Sequence, residues 1–244
     1  MAKVASNLTR IYYGASHVSG DLSAGDFAVE QELTVVTCLS DTGPRVIAGN
    51  FATTHNDSGF FEGTTVTGLD PVAHGMIGGA PVSRAACPIG TDEGSPVYES
   101  LVSVSGKPAT WAVGAAVLLN ISATGADDVY RGTIIRSGAV AAAAAGTGRN
   151  MGASTSGQVF AVTYRVVEVT GSGSVTFQIQ ESSDNAAGDA YATISGMTET
   201  MTAVGVARDE TTAATEAWKR VNVSAFSGFS TITVLITAGI VAGT

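Results

Sequence analysis

Charge is scarce in this sequence: 14% of its 244 residues are Asp, Glu, Lys or Arg, and only 7% are aromatic. A helical bundle needs Leu, Glu, Lys and Arg in quantity to clothe its faces, so that architecture is excluded. Positive charge is scarcest, with 12 Lys and Arg against 21 Asp and Glu, a net charge of −9 and no basic cluster. Tight binding to nucleic-acid phosphates needs a basic face, and none is present. The same balance suits a surface past which DNA slides without sticking. Cys38 and Cys87 are the only cysteines. Two buried thiols in a reducing cytoplasm are the expected state, with a disulfide as the alternative. The most apolar stretch, Thr231 to Ala242, falls short of the ~20 residues of a membrane-spanning helix, so no membrane partner is expected. No apolar leader segment is visible among the first ten residues, so no secretory signal is expected.

What is abundant is 30 Gly, together with Ala, Thr, Ser and Val, in a chain that is 45% hydrophobic. β-Branched side chains pack on pleated sheets and Gly makes their turns, so the composition predicts a mainly β protein with a sizeable core. Strand-like runs cover Leu8–Tyr13, Phe27–Cys38, Arg45–Thr54, Leu101–Val104, Trp111–Ala123 and Tyr130–Ser137. Others cover Val159–Val169, Ser174–Glu181, Ala217–Ser224 and Thr231–Val241. Phe160, Val162, Tyr164 and Val166 recur at period two, and Val175, Phe177 and Ile179 alternate with polar residues, the mark of a half-buried antiparallel strand. One short helix is predicted at Leu69–Gly78, with Asp70 as cap, Pro71 in the first turn and Gly78-Gly79 as the stop.

The Ala141–Ala145 run beside Gly146-Thr-Gly reads as a strand edge or a connection between domains. It divides the chain into residues 1–140, with the helix and a long hairpin, and 150–244, purely β. The net charge is −6 up to residue 140 and −3 over all residues after it, so neither half is a basic nucleic-acid module. The hairpin joins Phe27–Cys38 to Arg45–Thr54 through turn residues Asp41, Gly43 and Pro44. A ribbon this long cannot bury both faces alone. Identical neighbours in a ring would close it into a barrel and remove its exposed edges.

Catalytic and metal chemistry finds little support. His17, His55 and His74 have no ligand spacing and read as isolated polar side chains. Thr54-His-Asn-Asp-Ser puts His, Asp and Ser close in sequence, but adjacent strand residues point to opposite faces, so a polar strand end is favoured over a triad. No Gly-x-Ser-x-Gly elbow is present. Asp184–Asp189 imitates a calcium loop without the full spacing and terminal Glu, and reads as a solvated turn. Gly146–Gly152 is not a dinucleotide fingerprint. No enzyme activity, cofactor or metal is expected.

The order Arg10-Ile-Tyr-Tyr-Gly, Val18-Ser-Gly-Asp-Leu, Glu32-Leu-Thr-Val-Val-Thr-Cys, Asp41-Thr-Gly-Pro-Arg, Val46-Ile-Ala-Gly and Thr53-Thr-His-Asn-Asp-Ser-Gly-Phe-Phe-Glu, leading to the helix, is similar to the N-terminal half of siphophage major tail (tail tube) proteins. Gly114–Ala123 and Tyr130–Ile135 resemble the second sheet of that fold. Val175–Asp184 and Trp218-Lys-Arg-Val resemble a further domain of some members. The resemblance implies a tail-tube-like β-sandwich with one short helix and a long hairpin, followed by a second antiparallel β-sandwich on the tube exterior. It implies a virion tail protein made in the host bacterial cytoplasm that self-associates into hexameric rings stacked as a tube. Trimeric rings are the alternative, if the second half is a degenerate copy of the first. Tape measure and tail terminator proteins would be its partners, and DNA would pass through the lumen without tight binding. Glu30, Glu32, Ser40, Asp41, Thr42 and Arg45 would then be lumen or ring–ring residues of the hairpin. The competing readings are a carbohydrate-binding β-sandwich using Tyr191 and Trp218 as sugar platforms, a capsid decoration protein and a head–tail connector.

Overall fold

The computed structural model describes residues 8–36, 45–61, 68–113, 115–126 and 129–241. The chain is mainly β, as its composition predicts. In order, it forms β1 (Arg10–Tyr13), β2 (Ser16–His17), β3 (Leu22–Val36), β4 (Arg45–Phe60), α1 (Leu69–Met76), β5 (Val82–Cys87) and β6 (Pro96–Gly106). There follow β7 (Ala109–Thr110), β8 (Leu118–Gly125), β9 (Tyr130–Val140), β10 (Arg149–Asn150), β11 (Val159–Ser182), β12 (Ala192–Met201), β13 (Gly205–Thr211) and β14 (Trp218–Val241). Every pairing described below is antiparallel. The chain forms two compact units, each discontinuous in sequence: Met1–Ser19, Ser83–Glu99 and Tyr130–Thr244 make one, Gly20–Val82 and Ser100–Val129 the other.

The first unit is organised by β11 and β14, each of 24 residues and paired along nearly their whole length, from Val159 with Val241 to Ser182 with Trp218. This two-stranded ribbon bends sharply at Gly171–Ser174 and Phe226–Phe229, where the register shifts. Glycine is required there. Gly228 sits at φ +78°, and a Cβ on Gly173 would lie 1.9 Å from the Ser227 carbonyl oxygen. Gly-Ser-Gly and Ser-Gly are turn signals, so the sequence predicts two strands on either side of each; here the turn chemistry folds a continuous ribbon back on itself. The two halves become the two layers of a sandwich. Tyr164 from one layer stacks on Phe177 from the other with ring centroids 6.1 Å apart.

The sandwich core gathers Phe160, Val162, Tyr164 and Val166 with Val175, Phe177, Ile179, Val221, Val223, Val234 and Ile236. The period-two faces expected from the sequence are therefore the buried ones. Beyond that expectation, Ala161, Thr163 and Arg165 on the opposite face of β11 are buried too. β13 flanks the first half of β11 and β12 the second. β9 pairs with β14 on its other side, and β6 pairs with β9 through Pro96–Glu99. β5 pairs with β1, so Tyr12, Ala85, Cys87, Val97, Ile134 and Leu235 form a second core cluster.

The second unit holds the predicted hairpin. β3 and β4, of 15 and 16 residues, pair from Leu22 with Gly59 to Val36 with Arg45. β8 pairs with the far side of β4, and with β6 and β7. On β4, Thr53, His55, Asp57 and Gly59 are buried while Thr54, Asn56 and Phe60 are exposed, so one face is dry. Leu119, Ile121 and Ala123 of β8 are buried at the same period. The expected strand Trp111–Ala123 is broken: residues 111–113 and 115–117 lie in no strand, and β8 begins at Leu118. α1 buries Leu69, Ala73 and Met76, a stripe at helical spacing. Asp70 does not cap it as expected. Gly68 holds the cap position, the Leu69 N–H donates to Asp21 Oδ2 at 3.2 Å, and Asp70 accepts from Lys107. Ile77 and Gly78, at φ +73°, end the helix where glycine was expected to stop it.

Candidate functional site

Two features stand out, one in each unit. The β3–β4 ribbon has one unpaired edge: among the described residues β3 pairs with β4 alone. Ser23, Ala24, Gly25 and Asp26 on that edge strand are all exposed. Side-chain bonds tie it to β4, from Ser23 Oγ to the Ser58 carbonyl (3.2 Å) and from the Asn56 N–H to Asp26 Oδ1 (3.2 Å). An edge strand of this length displays a row of N–H and C=O groups that a further strand can take up.

Glu30 lies on β3 opposite Ala52 and is exposed. The register shifts between Gln31 and Leu33, so period-two counting from Glu30 does not carry through Glu32. Arg45 opens β4 opposite Val36. The side chains of Glu32 and Arg45 lie outside the described residues, as do Ser40, Asp41 and Thr42 entirely, and Cys38 with them.

The other feature is a buried ion pair that sequence reasoning missed. Arg165 and Glu99 are 0% and 1% exposed, with Nη2 to Oε1 at 2.8 Å. Arg165 Nη2 also donates to Ser83 Oγ (2.7 Å) and Nε to the Gly14 carbonyl (2.6 Å), while Thr237 Oγ1 donates to Glu99 Oε2 (3.1 Å). Ser83 Oγ donates to Glu99 Oε1 as well, and the guanidinium carbon lies 5.6 Å from the centroid of the Tyr12 ring. One side chain thus ties β11 to β5, β6 and the Gly14 turn. The signal in the sequence was an Arg inside an apolar run, where a strand buried on both faces leaves it no route to water.

The remaining polar groups are similarly committed to structure. Cys87 is buried, and burial with the nearby Glu99 carboxylate pushes its thiol up to about 12, which keeps it protonated and unreactive. Burial likewise pushes the Tyr12 and Tyr130 hydroxyls upward, and Tyr130 is bonded to Thr163 Oγ1 at 3.1 Å. Lys219 falls on the inward face of β14 beside Val221 and is fully buried, its Nζ donating to the Gly152 carbonyl at 2.9 Å and lying 5.2 Å from the Phe160 ring centroid. Burial lowers its pKa to about 8, against the opposing pull of Glu181 and Glu216.

The Asp184 carboxylate accepts the backbone N–H groups of Ala187, Gly188 and Asp189, so the calcium-like loop spends its oxygens on its own turn. Its tightness shows in Asn185 and Ala186, at φ 61° and 65°. Tyr191 hydrogen-bonds Asn185 (2.8 Å), and the Arg220 guanidinium carbon lies 4.1 Å from its ring centroid, occupying the surface a sugar would stack on. Trp218 is half-buried in paired strand, opposite Ser182 and Asn150. His55 and Asp57 share the buried face of β4, with Ser58 on the other. His55 is thus buried, whereas His17 and His74 are exposed. Among the described residues no three His, Cys, Asp or Glu side chains gather as metal ligands, and no helix is long and apolar enough to cross a membrane. Trp111, 73% exposed between β7 and β8, is an exposed aromatic that the strand reading concealed.

The fold and its polar groups define a mainly β protein built from two long antiparallel ribbons. No family model and no curated protein matches the chain. Among solved structures it is similar to a chain from the virion of a native gene transfer agent particle, at 12% identity and a TM-score of 0.44, over 53% of this chain and 98% of that one. It is also similar to a chain from the tail of an empty gene transfer agent particle with C6 symmetry, at 11% identity and a TM-score of 0.39, over 46% of this chain and 81% of that one.

Proposed function

We propose that this chain is a structural, non-enzymatic subunit of a phage tail tube, assembling with copies of itself into stacked rings around a channel for DNA. The observation that carries the reading is the long β3–β4 ribbon with its unpaired β3 edge. Edges of this kind are liabilities in a monomer and are removed when a ring of copies closes a barrel. The ordered motifs of the first 140 residues, similar to siphophage major tail proteins, support it. So does the net charge of −9, which suits a conduit that DNA passes without binding. In this proposal Glu30, Glu32, Ser40, Asp41, Thr42 and Arg45 belong to the lumen or to ring–ring contacts, and residues 150–244 form a domain on the exterior. Six subunits per ring, and contacts with tape measure and terminator proteins, follow from the same family resemblance.

The test is electron microscopy and sedimentation of the purified chain over a range of salt and protein concentration. Rings or tubes of uniform bore are expected. Ala24→Lys, which sets a charge on the exposed β3 edge strand, should abolish them while leaving the monomer folded. A chain that stays monomeric under every condition refutes the assignment.

A further inference from the structure

Two acids stand at inward-facing positions of the first unit, one in each layer of its sandwich. Asp209 of β13 pairs with Val162, and Glu199 of β12 pairs with Phe177. Directly opposed residues in a sheet project to the same face, and both Val162 and Phe177 lie in the sandwich core. Asp209 and Glu199 therefore lean towards the gap between the layers, each half-buried. Tyr164 closes the arrangement from β11. It shares the face of Val162, stacks on Phe177, and is fully buried, its hydroxyl facing the Asp209 carboxylate without the geometry of a formed hydrogen bond.

Arg208, the adjacent cation on β13, lies on the opposite face, paired with Glu210 and 5.7 Å from the Tyr130 ring centroid. The groups that act on one another across the gap are Glu199 from β12, Asp209 from β13 and Tyr164 from β11. β12 and β13 are consecutive strands joined by the exposed turn Thr202–Val204 and pair with opposite halves of β11, so whatever draws the acids together also holds this segment against β11.

We propose that Glu199, Asp209 and Tyr164 form a proton-operated clasp between the two layers, closed when the acids are protonated and loosened when both are ionised. Two carboxylates brought together away from water repel and lack solvation, whereas a protonated one donates a hydrogen bond to the other. Burial raises the pKa of both acids, and Glu199 is raised further by Asp209, while the Tyr164 hydroxyl partly offsets the rise for Asp209. The folded state then holds its protons to higher pH than the unfolded chain. The stabilisation is full below the ordinary carboxylate pKa of about 4 and is lost as pH rises through the raised folded values.

The experiment is thermal denaturation of the full chain from about pH 4 to about pH 8, comparing wild type with Glu199→Gln, Asp209→Asn and the double variant. The amides are neutral at every pH and nearly isosteric. The variants should melt higher than wild type at the upper end of the range, with the advantage vanishing at the lower end. Amide hydrogen exchange, corrected for intrinsic pH dependence, should show residues 192–211 opening more readily in wild type at the upper end. A wild-type-to-variant difference that is the same at all pH values overturns the clasp. So does a double variant that fails to fold near neutrality, since neutral side chains should favour the closed form. A calcium-dependent rise in wild-type melting temperature that the variants lack overturns it in favour of a cation site.

Discussion

Arg165→Met removes one partner of an ion pair whose two side chains are 0% and 1% exposed. The Glu99 carboxylate would keep the Ser83 and Thr237 hydroxyls but lose its cationic contact at 2.8 Å, and the Gly14 carbonyl would lose its 2.6 Å donor. Met fills much of the volume of the Arg stem, so the loss is electrostatic rather than a cavity. Removing one member of a buried pair costs about 3–5 kcal/mol. For a chain of 244 residues, at about 2–4 °C per kcal/mol, the melting temperature should fall by roughly 6–20 °C. Glu99→Gln should lie at the lower end, because the amide still accepts from the guanidinium and the hydroxyls. The double variant is the decisive member of the cycle. With no charge left buried, it should be more stable than the sum of the two losses by about 1–3 kcal/mol. Urea denaturation followed by circular dichroism supplies all four free energies. Single variants costing less than about 1 kcal/mol, or losses that add, would show that the pair is solvated or idle and refute the reasoning.

Lys219 makes a prediction of opposite sign. Its folded pKa of about 8 lies below the ordinary 10.5, so the unfolded chain binds the proton more tightly and wild-type stability should climb across that interval. The gain relative to Lys219→Met is at most roughly 3 kcal/mol, at about 1.4 kcal/mol per pH unit, and a flat difference between the two proteins refutes it. Gly228→Ala combines φ +78° with a Cβ 2.3 Å from the Ser172 carbonyl oxygen, whereas Gly138→Ala, at φ +89°, meets nothing within 4 Å. The first should therefore cost well over the ~1 kcal/mol of strain expected of the second, measured by the same denaturation, and equal losses would discredit the bend.

Where sequence and structure agree, the residues carried local information. The β3–β4 hairpin, the alternation of Val175, Phe177 and Ile179, and α1 are each written in adjacent positions. Among the strands longer than two residues, three were not legible. β5 (Val-Ser-Arg-Ala-Ala-Cys) is nearly devoid of β-branched residues, and β12 and β13 mix Thr, Gly, Met and charges without clean alternation. They are strands because β1 and β11 offer them a paired edge, a tertiary cause that no local window contains. The same holds for Arg165 and Lys219. Their types invite a surface reading, and only partners far along the chain, Glu99 and the Gly152 carbonyl, make burial tolerable. The hairpin residues Ser40, Asp41 and Thr42 gained their proposed role from family resemblance rather than from any chemistry of their own.

The β11–β14 ribbon also dictates when this protein can fold. Its tightest pair, Ser182 with Trp218, already encloses β12 and β13, and its outermost pair joins Val159 to Val241. Each layer of the sandwich needs residues from β14, so a ribosome that has synthesised β11 has made a strand with no permanent partner. Vectorial synthesis at about 5–20 residues per second leaves that apolar strand waiting for several seconds. During this interval β12 and β13 can pair with it and screen the strand until β14 arrives. The two strands that the acid clasp fastens in the finished protein would thus act first as an escort for the nascent core.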